Sequence, residues 1–234
     1  MVKINIHAGH NPSKSIACGA VGFLNESDEA RKVVKRLIYL FKRYNIQVFD
    51  CTCNNGTSQS DVLNKIKKKE LLNTVDYNIS VHFNSGRNDK KGDKNVGGSE
   101  IWVNNKSNQN IRTLSNNILN ELYNVNGNKN RGLKATESLY ILNALPRNSL
   151  LIECCFVDDL DDFKVYNYKR FANAIFIGII KSLIMEKGTN FRKKYNIENE
   201  NDFFIYLKNG KFIIDFVHYK KSLKLLKIKG ELFN

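Results

Sequence analysis

A chain of 234 residues, 42% of them hydrophobic, can bury the core of one full domain with a small appendage, which excludes a disordered polymer. The net charge of +14 favours polyanionic partners such as nucleic acid, anionic lipid or teichoic acid. No run of about 18 apolar residues offers a membrane helix, and five cysteines, including Cys51-Thr52-Cys53 and Cys154-Cys155, fit neither a disulfide framework nor a spaced cysteine metal site.

In chain order, Lys3 to Ile6 reads as a first strand. The segment that holds it has no apolar core or small-residue cleavage site of a secretory signal, so synthesis and folding in a cytosol are expected. Ala30, Val33, Val34, Leu37, Ile38 and Phe41 recur at helical spacing, and Ser27 is a candidate N-cap for that helix. Ile46 to Phe49 predicts a strand, Val62, Leu63 and Ile66 a short helix, and Lys67-Lys68-Lys69 a solvated helix end. Tyr77 to Phe83 is the next strand. The polar, Gly-rich stretch from Gly86 to Gly98, with Lys90-Lys91 inside it, predicts a mobile loop.

Ser99 to Val103 predicts another strand, and Ile111, Leu114, Ile118 and Leu122 a second amphipathic helix. Leu139 to Leu142 and Leu150 to Ile152 read as two more strands. Phe171 to Ile184 is apolar on most sides and predicts a buried helix that Gly188 would stop. This alternation predicts an α/β domain whose central twisted sheet, mostly parallel or mixed, has helices on both faces. After Gly188 the character changes. Phe203 to Leu207 and Phe212 to Phe216 flank Asn209-Gly210 as a hairpin would, and Tyr219 to Leu226 suggests a short basic helix. The expected division is a main domain over 1–187 and a small C-terminal unit over 189–234 that binds a wall polymer, packs on the main domain or drives self-association.

Four phrases carry chemistry: His7-Ala8-Gly9-His10, Asn25-Glu26, Ser80-Val81-His82-Phe83-Asn84 and Leu151-Ile152-Glu153-Cys154. Two histidines and one glutamate form a known ligand set for catalytic zinc that leaves a fourth position for water. A further carboxylate near that water could move its proton. Three of the chain's four histidines fall in these phrases, and His218 in the tail reads as structural or surface. In open α/β sheets ligand sites gather where strands end at their carboxyl side, and His10, His82 and Glu153 each follow an apolar run closely. Strand alternation does not decide between His7 and His10. His10 is preferred because Gly9 lets the backbone turn. Glu153 suits the proton-moving role, since burial at the end of an apolar strand raises a carboxyl pKa. The reaction such a set supports is amide hydrolysis.

Taken together, the phrases resemble the zinc-dependent N-acetylmuramoyl-L-alanine amidases of the third amidase family, and among these the endolysins of phages that infect clostridia. The resemblance runs from about Met1 to Lys187 and includes Arg131-Gly132-Leu133-Lys134 and Leu139-Tyr140-Ile141-Leu142. It implies one Zn2+ held by His10, Glu26 and His82, with Glu153 as acid/base and Asn84 as a substrate contact. It also implies cleavage between N-acetylmuramic acid and L-alanine in bacterial peptidoglycan, by an enzyme that acts on the wall after release from the producing cell. Two positions depart from the pattern: Asn11 follows the first ligand where many relatives have Gly, and Cys155 stands two residues after Glu153 where many have Gly. The competing readings are a sporulation- or germination-related wall amidase and a non-catalytic binder of polyanions or cell wall. No DNA- or RNA-binding motif supports a nucleic-acid partner, and teichoic acids and a second copy of the chain are the further expected partners.

Overall fold

The computed structural model describes residues 2–44, 46–125, 127–195, 204–208 and 211–215, those from 184 onward by their backbone alone. In chain order the elements are β1 (Lys3–Ala8), α1 (Glu26–Arg43), β2 (Gln47–Asp50), α2 (Gln59–Leu71), β3 (Tyr77–Asn84), β4 (Ser99–Asn104) and α3 (Gln109–Tyr123). There follow β5 (Asn130–Thr136), α4 (Tyr140–Ala144), β6 (Ser149–Phe156), α5 (Leu160–Val165), α6 (Tyr168–Tyr195), β7 (Phe204–Lys208) and β8 (Lys211–Asp215).

A six-stranded sheet runs in the order β2-β1-β3-β6-β4-β5. Strands β2, β1, β3 and β6 are mutually parallel, whereas β4 is antiparallel to β6 and β5 parallel to β4. The sheet is mixed, as expected. The reversal matters: β4 and β5 begin at the edge where β1, β3 and β6 end. Residues early in two strands therefore meet residues late in three others.

One face is covered by α1, α3 and α6, the other by α2 and α4. Ile4, Ile6, Ala8, Ile79, Val81, Ile101, Val103, Leu150 and Ile152 project into the first core with Val33, Leu37, Ile118, Phe171 and Ile175. Fully burying one such side chain contributes about 1.5–3 kcal/mol. Phe41 and Phe176, with ring centroids 5.7 Å apart, join α1 to α6. On the second face Val62, Ile66, Ile141, Leu142, Leu145 and Leu151 form a smaller core.

That face also carries a polar relay. Ser80 Oγ lies 2.7 Å from His7 Nε2, and His7 Nδ1 lies 2.8 Å from Glu70 Oε1. All three residues are buried. Asn5 donates to the Asn78 side chain and to the Glu70 carbonyl. His7 is thus a satisfied core histidine joining β1, β3 and α2, whereas His10 lies with Glu26 and His82.

Several local expectations need correction. Leu139 to Leu142 is not a strand: Tyr140–Ala144 is helical, because Ile141, Leu142 and Leu145 seat one helical face on α2 and the sheet. A short apolar run does not distinguish the two conformations. The strand that precedes it, β5, is an edge strand reading Asn-Arg-Gly-Leu-Lys-Ala-Thr, with only Leu133 packed on the core, so it lacks apolar alternation. Gly188 does not stop α6, which continues to Tyr195; a mid-helix glycine costs only about 1 kcal/mol relative to alanine. The N-cap of α1 is Asn25, whose Oδ1 accepts from Asp28 N at 3.2 Å, and not Ser27. The strands of the expected hairpin pair antiparallel as β7 and β8. Its Asn209-Gly210 turn and the helix expected over Tyr219 to Leu226 lie outside the described residues.

The loop from Gly86 to Gly98, expected to be mobile, is irregular but anchored. Asp158 accepts from the backbone N–H groups of Gly86, Arg87 and Asn88. Arg87 donates to Asp159 at 2.8 Å, and Gly98 N donates to Asp162 at 2.9 Å. The aspartates come from the turn that follows β6 and from α5. This short helix is capped by Asp159, which accepts from Asp161 N and Asp162 N.

Candidate metal centre

Three elements bring the first phrases together. β1 ends at Ala8 and delivers His10 two residues later. β3 carries His82 near its carboxyl end, and the first turn of α1 carries Glu26. Glu26 Oε1 faces both imidazoles, 2.9 Å from His82 Nδ1 and 3.3 Å from His10 Nε2. One ligand atom from each of the three residues lies within 4.8 Å of the others. Ligand atoms about 2.0–2.1 Å from a tetrahedral zinc stand roughly 3.3 Å from each other, so the two carboxylate–imidazole separations already match a shared ion.

Electrostatics agree. Burial works against the Glu26 anion, yet hydrogen bonds from His10 and His82 hold its carboxyl far below the usual carboxylate range. Burial also opposes charge on His10, but the bond to Glu26 outweighs it and raises that imidazole. In His82 burial wins and the imidazole is lowered. A buried carboxylate beside two histidines, one of them readily neutral, is a donor set suited to a divalent cation.

The surroundings fix these ligands. Glu26 is oriented by Ala20 N, which donates to Oε2 at 2.9 Å, and by Phe83 N, which donates to Oε1 at 3.2 Å. His10 adopts a left-handed backbone with φ 61°, a conformation that costs a non-glycine residue about 1–3 kcal/mol. Arg31 of α1 compensates: its guanidinium donates to the carbonyls of His10 at 2.8 Å, Cys53 at 2.8 Å and Ser27 at 2.9 Å. No sequence signal marked Arg31, since on the polar side of an amphipathic helix it looks like any solvated cation.

Gly9 also differs from expectation. The left-handed turn lies at His10 itself, and Gly9 is needed for close approach: a Cβ there would sit 2.1 Å from His82 Cε1. Gly9→Ala is therefore expected to displace the His82 ring and weaken zinc affinity about 10- to 100-fold, the usual range when the support of a metal ligand is lost. Calorimetric titration with zinc measures this, and wild-type affinity in the variant would refute the packing argument.

Asn11 is buried and structural. Its side chain donates to the carbonyls of Ile16 and Gly56 and accepts from Gly56 N at 2.9 Å, stitching the 10–19 loop to the approach of α2. Cys155 is buried in the main core. Both departures from the family pattern are matters of packing. All five cysteines are free.

The fourth phrase arrives through β6. Glu153 is the register partner of His82 on β3 and of Glu100 on β4. Its Oε2 is buried and accepts no hydrogen bond among the described residues. Burial first, then the charges of Glu26 and Glu100, push its carboxyl up to about 8, with Lys134 opposing. A carboxylate with one free oxygen beside a candidate metal site is what proton transfer requires. Asn84 stands at the end of β3, where Nδ2 donates to Glu100 at 3.1 Å and Oδ1 accepts from Ser85 N.

Sequence reading overlooked Glu100, although Arg131 and Lys134, which bind it, lay in a phrase already singled out. In a second acidic group, Asp89 accepts from the backbone N–H groups of Gly92 and Asp93, Asp161 from Lys94 N and Lys164 Nζ, and Asp93 Oδ1 from Asn95 N.

A family profile described as N-acetylmuramoyl-L-alanine amidase matches residues 4–185. The chain belongs to this amidase family. Two uncharacterized proteins of Clostridium perfringens are similar to this amidase chain: a 38.4 kDa protein is 32% identical over 203 residues, covering 85% of this chain and 56% of the relative. The other is 30% identical over 170 residues, covering 72% and 48%. The chain thus spans about half the length of these curated relatives. Among solved structures, the catalytic domain of the CD27L endolysin, described as targeting Clostridia difficile, superposes with a TM-score of 0.64 at 25% identity, covering 77% of this chain and 98% of that one. The CwlD amidase of Clostridioides difficile, solved with the GerS lipoprotein, superposes with a TM-score of 0.66 at 23% identity, covering 79% and 100%. AmiC2, an N-acetylmuramoyl-L-alanine amidase of Nostoc punctiforme, shares the fold at a TM-score of 0.61 and 22% identity, covering 78% and 97%.

Proposed function

We propose that this amidase-family chain hydrolyses the amide between the lactyl group of N-acetylmuramic acid and L-alanine in peptidoglycan, with one zinc ion held by His10, Glu26 and His82. The observation that carries the reading is Glu153: a half-buried carboxylate in strand register with one of three clustered donors, whose buried Oε2 accepts no hydrogen bond among the described residues. A non-catalytic binder of polyanions gives that residue no task.

When bound, zinc polarises the amide carbonyl and makes a water proton easier to remove. His10, Glu26 and His82 supply the donors, and Arg31 and Gly9 keep His10 and His82 in place. Glu153 takes the water proton and returns it to the nitrogen of L-alanine as the amide breaks. Its ordinary burial raises its proton affinity and a nearby cation lowers it, so both protonation states are accessible near neutrality. Asn84, half-buried at the end of β3, would contact substrate.

The similarity to a clostridial endolysin catalytic domain supports a lytic role, with the protein accumulating in the cytoplasm and acting on the wall after release. The +14 charge suits an anionic wall bearing teichoic acids, and residues 189–234 would add wall binding. No helix among the described residues is long and apolar enough to cross a membrane.

Incubation with purified cell walls tests the reaction. New L-alanine amino termini are expected without new reducing sugars, and a chelator should abolish them until zinc is restored. Reducing sugars, or cleavage indifferent to chelation, would refute the assignment.

A further inference from the structure

A buried carboxylate, Glu100, and a half-buried one, Glu153, are register partners across β4 and β6, and the cations near them are distributed unequally. Glu100 is 2% exposed and accepts four side-chain hydrogen bonds. Arg131 Nε at 2.7 Å and Lys134 Nζ at 2.6 Å bind Oε2, while Trp102 Nε1 at 3.0 Å and Asn84 Nδ2 at 3.1 Å bind Oε1. Glu153, its direct cross-strand partner, has an oxygen with none among the described residues. Further contacts hold both cations on the Glu100 side. Lys134 Nζ lies 5.1 Å from the centre of the Trp102 ring, and Arg131 Cζ lies 4.9 Å from that of Phe156.

We propose that Glu100 is a positioning residue: by holding Lys134 and Arg131 it keeps the neighbouring Glu153 free of any cation. A lysine on a four-carbon stem moves easily to the nearest anion. With Glu100 neutral, the carboxyl group left beside Lys134 across the strand pair is its register partner Glu153. An ammonium there would occupy the lone pair that accepts the water proton. The reversed polarity of β4 and β5 makes the device possible, because it brings the first residues of both strands to the catalytic edge. The role rests on the proposed function of Glu153.

The test uses the zinc-loaded full chain on purified walls. Glu100→Gln is expected to lower kcat by on the order of 10²-fold, the scale of a disabled acid/base group. Zinc affinity measured with zinc alone should stay at the wild-type value. Adding Lys134→Met to Glu100→Gln should restore most of the lost rate. A crystal structure of Glu100→Gln should show Lys134 Nζ within hydrogen-bond distance of Glu153. Glu100→Asp, which keeps the charge, should lose much less than Glu100→Gln and carries the comparison if the glutamine variant fails to fold.

An unchanged rate in Glu100→Gln, equal losses in the aspartate and glutamine variants, or no rescue by Lys134→Met would each overturn the proposal. These outcomes are distinct from failure of the amidase reading, in which the wild-type chain itself would release no L-alanine amino termini.

Discussion

Glu153→Gln is expected to reduce hydrolysis of the muramoyl–alanine amide by about 10²- to 10⁴-fold while leaving zinc affinity within a few-fold of wild type. Glutamine is nearly isosteric with glutamate and preserves the packing at the end of β6, but it cannot accept and return a proton. Glu153 is not one of the three clustered donors, so the ion keeps its ligands. The measurement is kcat from amino-terminus release, set against a zinc titration of the same preparation. A variant with wild-type kcat removes Glu153 from the chemistry; a variant that loses zinc as well makes it a ligand.

The same substitution is expected to stabilise the metal-free protein at alkaline pH. Folding raises the Glu153 carboxyl from an ordinary 4.5 to about 8, chiefly by burial. Between those values the native state binds a proton that the unfolded chain does not, so its contribution is most favourable at acidic pH. As pH rises towards 8 that proton must be surrendered or the ion left buried, and stability falls. Glutamine has no proton to lose. The advantage of Glu153→Gln over wild type is thus expected to be near zero at pH 4 and to grow to about 2–4 kcal/mol at pH 8. For a domain of this size that is a rise of roughly 5–10 °C in Tm. Thermal melts of both proteins in chelator at the two pH values measure it. An advantage that does not change with pH would mean that burial does not tax the ion.

The three clustered donors were legible from the sequence because each occupies a strand end or helix start that apolar periodicity marks well. His10, Glu26 and His82 converge, and the main core stripes of α1 and α3 lie as their spacing predicts. What was missed is long-range or conformational. The short run around Leu139 to Leu142 fits strand and helix equally, and packing against α2 decides it. Strand β5 is polar because it is an edge, so its content resembles a loop. Arg31 and Glu100 look like surface charges in one dimension. Only the fold reveals that Arg31 clasps four carbonyls and that Glu100 gathers four donors. The role of Gly9 was read as freedom to turn, whereas the structure uses its lack of volume.

The mixed polarity of the sheet bears on how this scaffold can be altered. In a wholly parallel sheet, residues opening a strand are hidden at the far rim and serve only stability. Here the openings of β4 and β5 lie beside the carboxyl ends of β3 and β6, so substitutions at Glu100, Arg131 or Lys134 should retune turnover directly, whereas Ser99 and Ile101 between them stay bound to packing.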